Sequence, residues 1–507
     1  MDMTRWKISS EVPLNSFDYF EKTLITPNGF REYDVRWLLG KEINPNGFVV
    51  LGKAYGTYIQ DLTGEKTVVI GHDFRFYSQD LARSFTVGLL STGARVIDIG
   101  LCVSPMLYFA QHHLQSKGGV MITASHNENG WTGAKLADGL SSTLGPDGIS
   151  AFRSVVESGQ YREDAGTFES SDGIFEPYLA DVLKPGRLSR KIRVVVAAGN
   201  GTAGRFAPRV LREAGCDVVE VDCTADWDFK KHNPNPENLA FLHSMQDAVQ
   251  ETGADLGIGI DGDGDRIGVI DDRGREIFSD KLGLLLARWI CPRYPGRSVV
   301  IDVKSTGLFF VDPVLAGANA SVILEKTGHS YIKARVAASG AVAGFEKSGH
   351  WFFSEPFGRG YDDAIVSALQ VLRLLDHAGK PLSVLVDELP KTWQSPTLEP
   401  ECGDTVKYDV VRWVTDQYEN DRASKTPVAG TQIKDIITVN GVRFVLENGS
   451  FGLVRASSNR PSLVVVAEST ESEDQLYDIV EHIQARLIET GKVGEYDQHM
   501  PARAPKG

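Results

Sequence analysis

The apolar positions of this chain gather in short runs that end in glycine, acid or a polar turn. Val68-Val69-Ile70 runs into Gly71-His72-Asp73, and Gly119-Val120-Met121-Ile122 into Thr123-Ala124-Ser125-His126-Asn127. Val194-Val195-Val196 leads to the glycine-rich loop 199–204, and Ile258-Gly259-Ile260 to Asp261. Brief apolar runs without alternation predict strands buried on both faces of a parallel sheet. In chain order the pattern predicts a strand over 67–70, a helix over 80–91, a strand over 95–99, a helix over 106–115 and the strand 119–122. It recurs as strands 193–196, 217–221 and 254–260 with a helix running to Ala214-Gly215, and again as strands 298–301, 321–324 and 340–344 with a helix leading to Gly317. One βαβ pattern met three times predicts three alike α/β domains.

Other stretches break the pattern. Phe30-Arg31-Glu32-Tyr33-Asp34-Val35-Arg36, after Pro27-Asn28-Gly29, has no clean period and reads as a surface loop. Residues 391–405 are rich in Pro and Glu and read as a linker. Beyond them, strands over 441–447, 451–455 and 463–467 and an amphipathic helix over 471–489 predict a smaller α+β domain, with a disordered tail at 501–507. The expected domains are 1–168, 169–278, 279–392 and 393–507, consistent with a length of 507 residues, more than one core usually supports.

Composition narrows the partners. A formal net charge of -14 argues against a nucleic-acid surface but leaves room for an anionic small molecule met by a local cationic cluster. The five cysteines, at 102, 216, 223, 291 and 402, fall in no CxxC or zinc spacing and read as reduced thiols. The polar leader lacks a signal-peptide core and no apolar run is long enough to span a bilayer, so a cytoplasmic protein without membrane partners, monomeric or weakly dimeric, is expected.

Two loops carry the chemistry. Ser125 leaves a buried strand into a turn, where open α/β sheets bind ligands, although the same letters also make an ordinary turn. Asp261, Asp263 and Asp265 alternate with glycines, and three such carboxylates repel one another unless a cation lies among them; a solvated acidic turn is the plainer alternative. An EF-hand is excluded by Arg266 and Asp272 where glycine and glutamate belong. Oxygen-only ligands suit Mg²⁺, and Arg266 next door implies an anion, hence phosphoryl chemistry. Residues 452–461, with Arg455, Ser457, Ser458 and Asn459, fit either a phosphate cradle or a polar turn. No glycine loop ends in Gly-Lys-Ser/Thr, so a Walker-A site is absent.

In their order along residues 30 to about 489, these motifs resemble the α-D-phosphohexomutase family, specifically its phosphomannomutase/phosphoglucomutase branch. The resemblance rests on 30–36, on Thr123-Ala124-Ser125-His126-Asn127 with Asn129-Gly130 and Lys135, on 261–266, on Gly344-Phe345-Glu346-Lys347-Ser348-Gly349-His350 and on 455–461. It implies three α/β domains and a smaller C-terminal α+β domain around a central cleft. It also implies a phosphorylated Ser125, with Mg²⁺ held by Asp261, Asp263, Asp265 and the Ser125 phosphate. A hexose 1,6-bisphosphate would serve as intermediate and activator while phosphate moves between C6 and C1 of small-molecule sugar phosphates.

By family position His126 and Arg266 belong to the catalytic set, and Lys135, Lys304 and His329 would transfer protons or touch phosphate. Tyr33 and Arg36 would close over the phosphoserine. Glu346 and Ser348 would bind sugar hydroxyls, His350 would touch sugar or support that loop, and Arg455, Ser457, Ser458 and Asn459 would hold the remote phosphate. The chain departs from the family with Glu128 where proline is usual, with Lys347, and with Ser-Ser-Asn-Arg in the phosphate loop. The rivals are a phosphoglucosamine mutase, a non-catalytic sugar-phosphate-binding protein of the same fold, and a Ser-His hydrolase. The last fails for want of a GxSxG elbow and because chain-adjacent Ser and His are expected not to face each other.

Overall fold

Val68, Val69, Ile70, Val194, Val195 and Val196 are fully buried, and the β-branched runs are the centres of sheets. The computed structural model describes residues 22–501 apart from 172, 227, 228, 230, 232 and 459. The polar leader, the tail beyond 501 and Asn459 therefore lie outside the described residues. The chain forms two compact units, one of residues to 278 with 348–383, the other of 279–347 with residues from 384 onward.

In the first unit one sheet runs in the order Val35–Leu38, Trp131–Gly139, Gly118–Ile122, Thr67–His72, Arg95–Leu101, Thr167–Ser170. Gly118–Ile122, Thr67–His72, Arg95–Leu101 and Thr167–Ser170 are mutually parallel, whereas Trp131–Gly139 is antiparallel to both of its neighbours. Helices Ser78–Leu90 and Ser104–Leu114 provide the crossovers. A long helix, Pro45–Thr63, was not foreseen: Gly47, Gly52 and Gly56 depress its propensity. Those glycines serve packing, since a Cβ on Gly52 would lie 2.1 Å from Phe85 O and one on Gly88 would lie 2.1 Å from Val49 O, so the two helices meet backbone to backbone. Asn44 caps the helix by accepting from Gly47 N at 2.9 Å, and Gly64 ends it at φ +72.

The surface loop expected at 30–36 is corrected. Val35 begins a strand whose partners are Ala134 to Trp131 in antiparallel register, with Val35 and Trp37 fully buried. Burial on both faces removes the alternation that would have announced a strand.

The unit's second sheet orders Glu276–Ile277, Ile267–Asp271, Leu256–Ile260, Arg193–Ala197 and Asp217–Val221. The last three are parallel, and Leu256–Ile260 turns back into Ile267–Asp271 as an antiparallel hairpin whose tip is the aspartate loop.

In the second unit Val299–Asp302 lies between Val322–Glu325 and Ala343–Phe345, all parallel. An antiparallel sheet of Trp393–Gln394, Leu463–Ser469, Phe451–Ala456, Val442–Leu446 and Ile433–Ile437 follows, backed by Lys407–Ser424 and Glu473–Glu489. The linker expected over 391–405 is corrected: Trp393–Gln394 is an edge strand, Leu398 bridges Val465 and is fully buried, and Ser395 Oγ accepts from Ala467 N at 2.9 Å. Proline and glutamate there break regularity without exposing the segment. Buried polar contacts tie this sheet to the parallel one. Arg443 donates to Val303 O at 2.8 Å and Ser305 O at 2.7 Å, and Glu468 accepts from Thr306 Oγ1 at 3.0 Å and Gly307 N at 2.9 Å.

Candidate active site

Ser125 follows the Gly118–Ile122 strand by three residues and sits at φ +51, a left-handed conformation that is uncommon for a non-glycine residue. Its Oγ lies 3.1 Å from Asp261 Oδ2 and 3.3 Å from His126 Nδ1. Adjacent Ser and His thus do face each other here, contrary to the expectation.

Asp261, Asp263 and Asp265 are each 0 % exposed, which removes the solvated-turn alternative. They lie close enough together that one ligand oxygen from each falls within 4.8 Å of the others. The intervening glycines are required sterically. A Cβ on Gly262 would lie 2.5 Å from Ser125 O, and Gly264 sits at φ +81 with Val103 2.7 Å from its would-be Cβ. The glycine loop at 199–204 also finds its role here, with Thr202 N donating to Gly262 O at 3.1 Å.

Two cations face the three carboxylates. Lys135 Nζ pairs with Asp263 Oδ2 at 2.7 Å and with Asp265 Oδ2, while Arg266 Nε donates to Asp261 Oδ2 at 3.0 Å. Burial opposes the charge on Lys135, but Asp263 and Asp265 outweigh it and hold the ammonium well above the usual lysine range. In this arrangement its ammonium is a donor to both carboxylates. Asp261 is pushed up to about 7 by burial and then by Asp265 and Asp263. Asp263, despite its burial, is held below the usual carboxylate range by Lys135 and by Ser104 Oγ, which donates to it at 2.6 Å.

Asp263 Oδ1 and Asp265 Oδ1 are buried without a hydrogen-bond partner, and the carboxylates exceed their cations by one. A hard divalent cation fits that donor set. Arg266 Nη2 is likewise buried without a partner, an unused donor suited to an anion.

Other sequence-predicted residues belong to the same unit. Arg36 is buried, pairs with Asp34 at 2.8 Å and donates to Thr123 O; Tyr33 is buried in the bend before the same strand. His350 Nδ1 lies 3.0 Å from Asp362 Oδ2 and 3.8 Å from Asp265 Oδ1, and its backbone bridges Arg266, so His350 belongs to the aspartate loop's surroundings. Ser348 is buried in the same unit.

The remaining candidates belong to the second unit. Lys304, His329 and Glu346 follow the carboxyl ends of Val299–Asp302, Val322–Glu325 and Ala343–Phe345, three neighbouring parallel strands, and all are buried. Asp302 organises their loops by accepting from Thr327 Oγ1 at 2.9 Å, Ser305 Oγ at 2.6 Å and Lys347 N at 3.3 Å. Lys347, the departure in the specificity loop, donates to Ser395 O at 3.1 Å, and burial pulls its ammonium below the usual range. Arg455 and Ser457 are buried and Ser458 half-buried at the end of Phe451–Ala456.

Sequence reasoning missed Ser104, Asp362, Lys407 and the pair Asp73 and Arg75. Lys407 holds the phosphate-type loop through Ser457 O at 2.6 Å and Arg460 O at 3.0 Å. The only signal for any of them was Asp73 at a strand end.

Repeated α/β layers followed by a C-terminal domain with an antiparallel sheet are the domain plan of the phosphoglucomutase/phosphomannomutase family. The families described as phosphoglucomutase/phosphomannomutase alpha/beta/alpha domains I, II and III match residues 27–162, 176–274 and 278–393, and the corresponding C-terminal domain matches 413–486. The chain belongs to the phosphoglucomutase/phosphomannomutase family of isomerases. It is 32 % identical over 460 residues to a phosphomannomutase/phosphoglucomutase of Pseudomonas putida, covering 90 % of this chain and 95 % of that one. A crystal structure of a family protein from Burkholderia thailandensis superposes with a TM-score of 0.82 at 26 % identity, over 93 % of this chain and 100 % of the other. The N-acetylphosphoglucosamine mutase of Aspergillus fumigatus, solved with GlcNAc-6P and magnesium, shares the fold at a TM-score of 0.52 and 16 % identity, over 83 % and 78 % of the two chains. Among the described residues no helix is long and apolar enough to cross a membrane.

Proposed function

We propose that this chain interconverts hexose 6-phosphate and hexose 1-phosphate, of mannose, glucose or both, through a phosphoserine at Ser125 and a hexose 1,6-bisphosphate. The observation that carries the reading is Ser125 Oγ at 3.1 Å from Asp261 Oδ2, within a buried carboxylate triad that has oxygens to spare. Asp261, Asp263 and Asp265 would hold a divalent cation, and magnesium is the metal named with the Aspergillus protein of the same fold. When bound, the cation supplies positive charge against phosphate oxygens.

The protein's own groups do the rest. As phosphate leaves Ser125, the P–O bond to Oγ breaks while one to a sugar hydroxyl forms, and the hydroxyl proton passes to a base. After the sugar turns over, its other phosphate returns to Oγ. His126 Nδ1, 3.3 Å from Oγ, holds the proton that Oγ gains or loses. Arg266 offers its unpartnered Nη2 to a phosphate oxygen, and Lys135 pairs with Asp263 and Asp265 and offsets one of their two charges. Arg455, Ser457, Ser458 and Asn459 take the remote phosphate, Glu346 and Ser348 the sugar hydroxyls, and Lys304 and His329 contact phosphate or pass protons. The domain edges fall at 168/169, 278/279 and 392/393, a division supported by family matches that begin at 176, 278 and 413.

The test is turnover, with glucose 1,6-bisphosphate and Mg²⁺, on glucose 1-phosphate, mannose 1-phosphate and glucosamine 6-phosphate. The proposal expects the first, the second or both to turn over at least tenfold faster than the third. A faster third would make the chain a phosphoglucosamine mutase, and turnover of none would sink the catalytic reading.

A further inference from the structure

We propose that Asp73 and Arg75 are positioning residues that set the reactive geometry of Ser125; the inference rests on reading Ser125 as the phosphoryl carrier. Ser125 sits at φ +51. A left-handed non-glycine conformation costs free energy, and a surrounding that fixes both backbone groups of the residue holds it there. Here both groups are fixed, one from each side of the residue.

Arg75 lies beneath the turn, almost wholly buried. Its Nη2 donates to Ser125 O at 2.9 Å and Asn127 O at 2.5 Å, and its Nη1 donates to Glu128 O at 3.1 Å. Three carbonyls of one turn thus converge on one guanidinium, with the Phe229 ring 5.0 Å from its carbon. Asp73 holds the entry to the same turn. Its Oδ2 accepts from Thr123 Oγ1 at 2.8 Å and Ala124 N at 3.4 Å, and lies 3.3 Å from Arg75 Nε. Thr123 Oγ1 in turn accepts from Ser125 N at 2.9 Å.

The N–H of Ser125 is therefore fixed through Asp73 and its carbonyl through Arg75, while neither residue touches Oγ. Asp73 is anchored in its own right, with Oδ1 accepting from Arg75 N at 3.0 Å and Ser78 Oγ at 2.5 Å. The planar fork of a guanidinium spans several carbonyls where the point-like ammonium of lysine cannot. A brace of this kind acts on the placement of Oγ against Asp261, so it controls kcat and leaves sugar-phosphate affinity alone.

The test uses the full chain as wild type, Arg75→Lys and Asp73→Asn. The measurements are near-UV circular dichroism, kcat and KM on glucose 1-phosphate, Ser125 labelling by glucose 1,6-bisphosphate, and hydrogen exchange over 123–129. A misplacement of about 1 Å costs about 100-fold in rate. Arg75→Lys should accordingly lose about 100-fold in kcat and in labelling rate with KM within about threefold, and exchange faster at 123–129 alone. Asp73→Asn should lose about tenfold. Wild-type kcat in Arg75→Lys, or kcat and KM changing together with the whole spectrum, would overturn the brace. If Arg75→Lys does not fold, Asp73→Asn decides, and wild-type kcat there overturns it. If the wild-type chain itself takes no phosphate on Ser125, the mutase reading falls, and exchange unchanged at 123–129 in both variants then refutes the brace separately.

Discussion

Replacing Gly262 with alanine inserts one methyl group between the aspartate loop and the nucleophile loop. Gly262 is not in the left-handed region, so its backbone tolerates alanine and only space is at issue. The added Cβ would stand 2.5 Å from Ser125 O and 3.3 Å from Ser125 C, both backbone atoms that cannot rotate away. Carbon and oxygen settle at about 3.3–3.6 Å, so the loops must part by roughly 0.8–1.1 Å. Ser125 Oγ, 3.1 Å from Asp261 Oδ2, would then lie about 4 Å away, beyond hydrogen bonding. Overpacking of this kind costs about 1–3 kcal/mol, and the misplaced nucleophile about 100-fold in kcat. Steady-state turnover beside a thermal melt reads both. The control is Gly317→Ala, where a Cβ meets nothing within 4 Å: full activity and a gain of up to about 1 kcal/mol are expected. Gly262→Ala with kcat within about twofold of wild type would refute the argument that contact between these two loops sets the reactive distance.

Three further outcomes follow from the same geometry. Chelating divalent metal should lower turnover to below about 1 % and added Mg²⁺ should restore it, because the triad's unpartnered oxygens need a cation; a rate indifferent to chelation would remove the aspartates from the chemistry. Asp363, pushed up to about 7 by burial, caps the helix Ala364–Ala378 and accepts from Tyr178 Oη at 2.9 Å. Its folded state binds the proton more tightly than the unfolded chain, so its contribution to stability is full below about pH 4 and lost as pH rises through 7. Asp363→Asn should therefore gain stability over wild type between pH 5 and pH 8, on the order of 2–4 kcal/mol in urea melts, and a pH-independent difference would contradict the raised value. Lys407→Met frees the loop of Ser457 and Arg460, and should raise KM for sugar phosphate about tenfold while Ser125 still takes phosphate from the bisphosphate; an unchanged KM would detach that loop from substrate.

The repeated βαβ units were legible because strands buried on both faces are β-branched throughout and stop at glycine or acid. Val194-Val195-Val196 and Ile258-Gly259-Ile260 left little alternative. The Pro45–Thr63 helix was hidden by the glycines that let it lie against Ser78–Leu90, so local propensity and tertiary packing pointed opposite ways. Val35–Leu38 and Trp393–Gln394 were misread because an edge strand flanked by charge or proline resembles a loop until its partner is known.

The candidate site divides similarly. Asp261, Asp263 and Asp265 announce themselves by mutual repulsion within five residues of sequence. Arg75 does not, since its partners are carbonyl oxygens some fifty residues further on, and carbonyls carry no letter. Lys135 was a proton-transfer or phosphate-contact candidate by family position, and its pairing with two buried carboxylates more than 120 residues away carries no mark in the sequence.

The most direct measurement is the intact mass of the chain before and after incubation with glucose 1,6-bisphosphate and Mg²⁺, followed by location of any phosphate. One phosphate on Ser125, absent in Ser125→Ala and absent after chelation, is the expected result. Phosphate on another residue, or none at all in folded protein, would contradict the claim that a serine beside three buried aspartates carries the phosphoryl group.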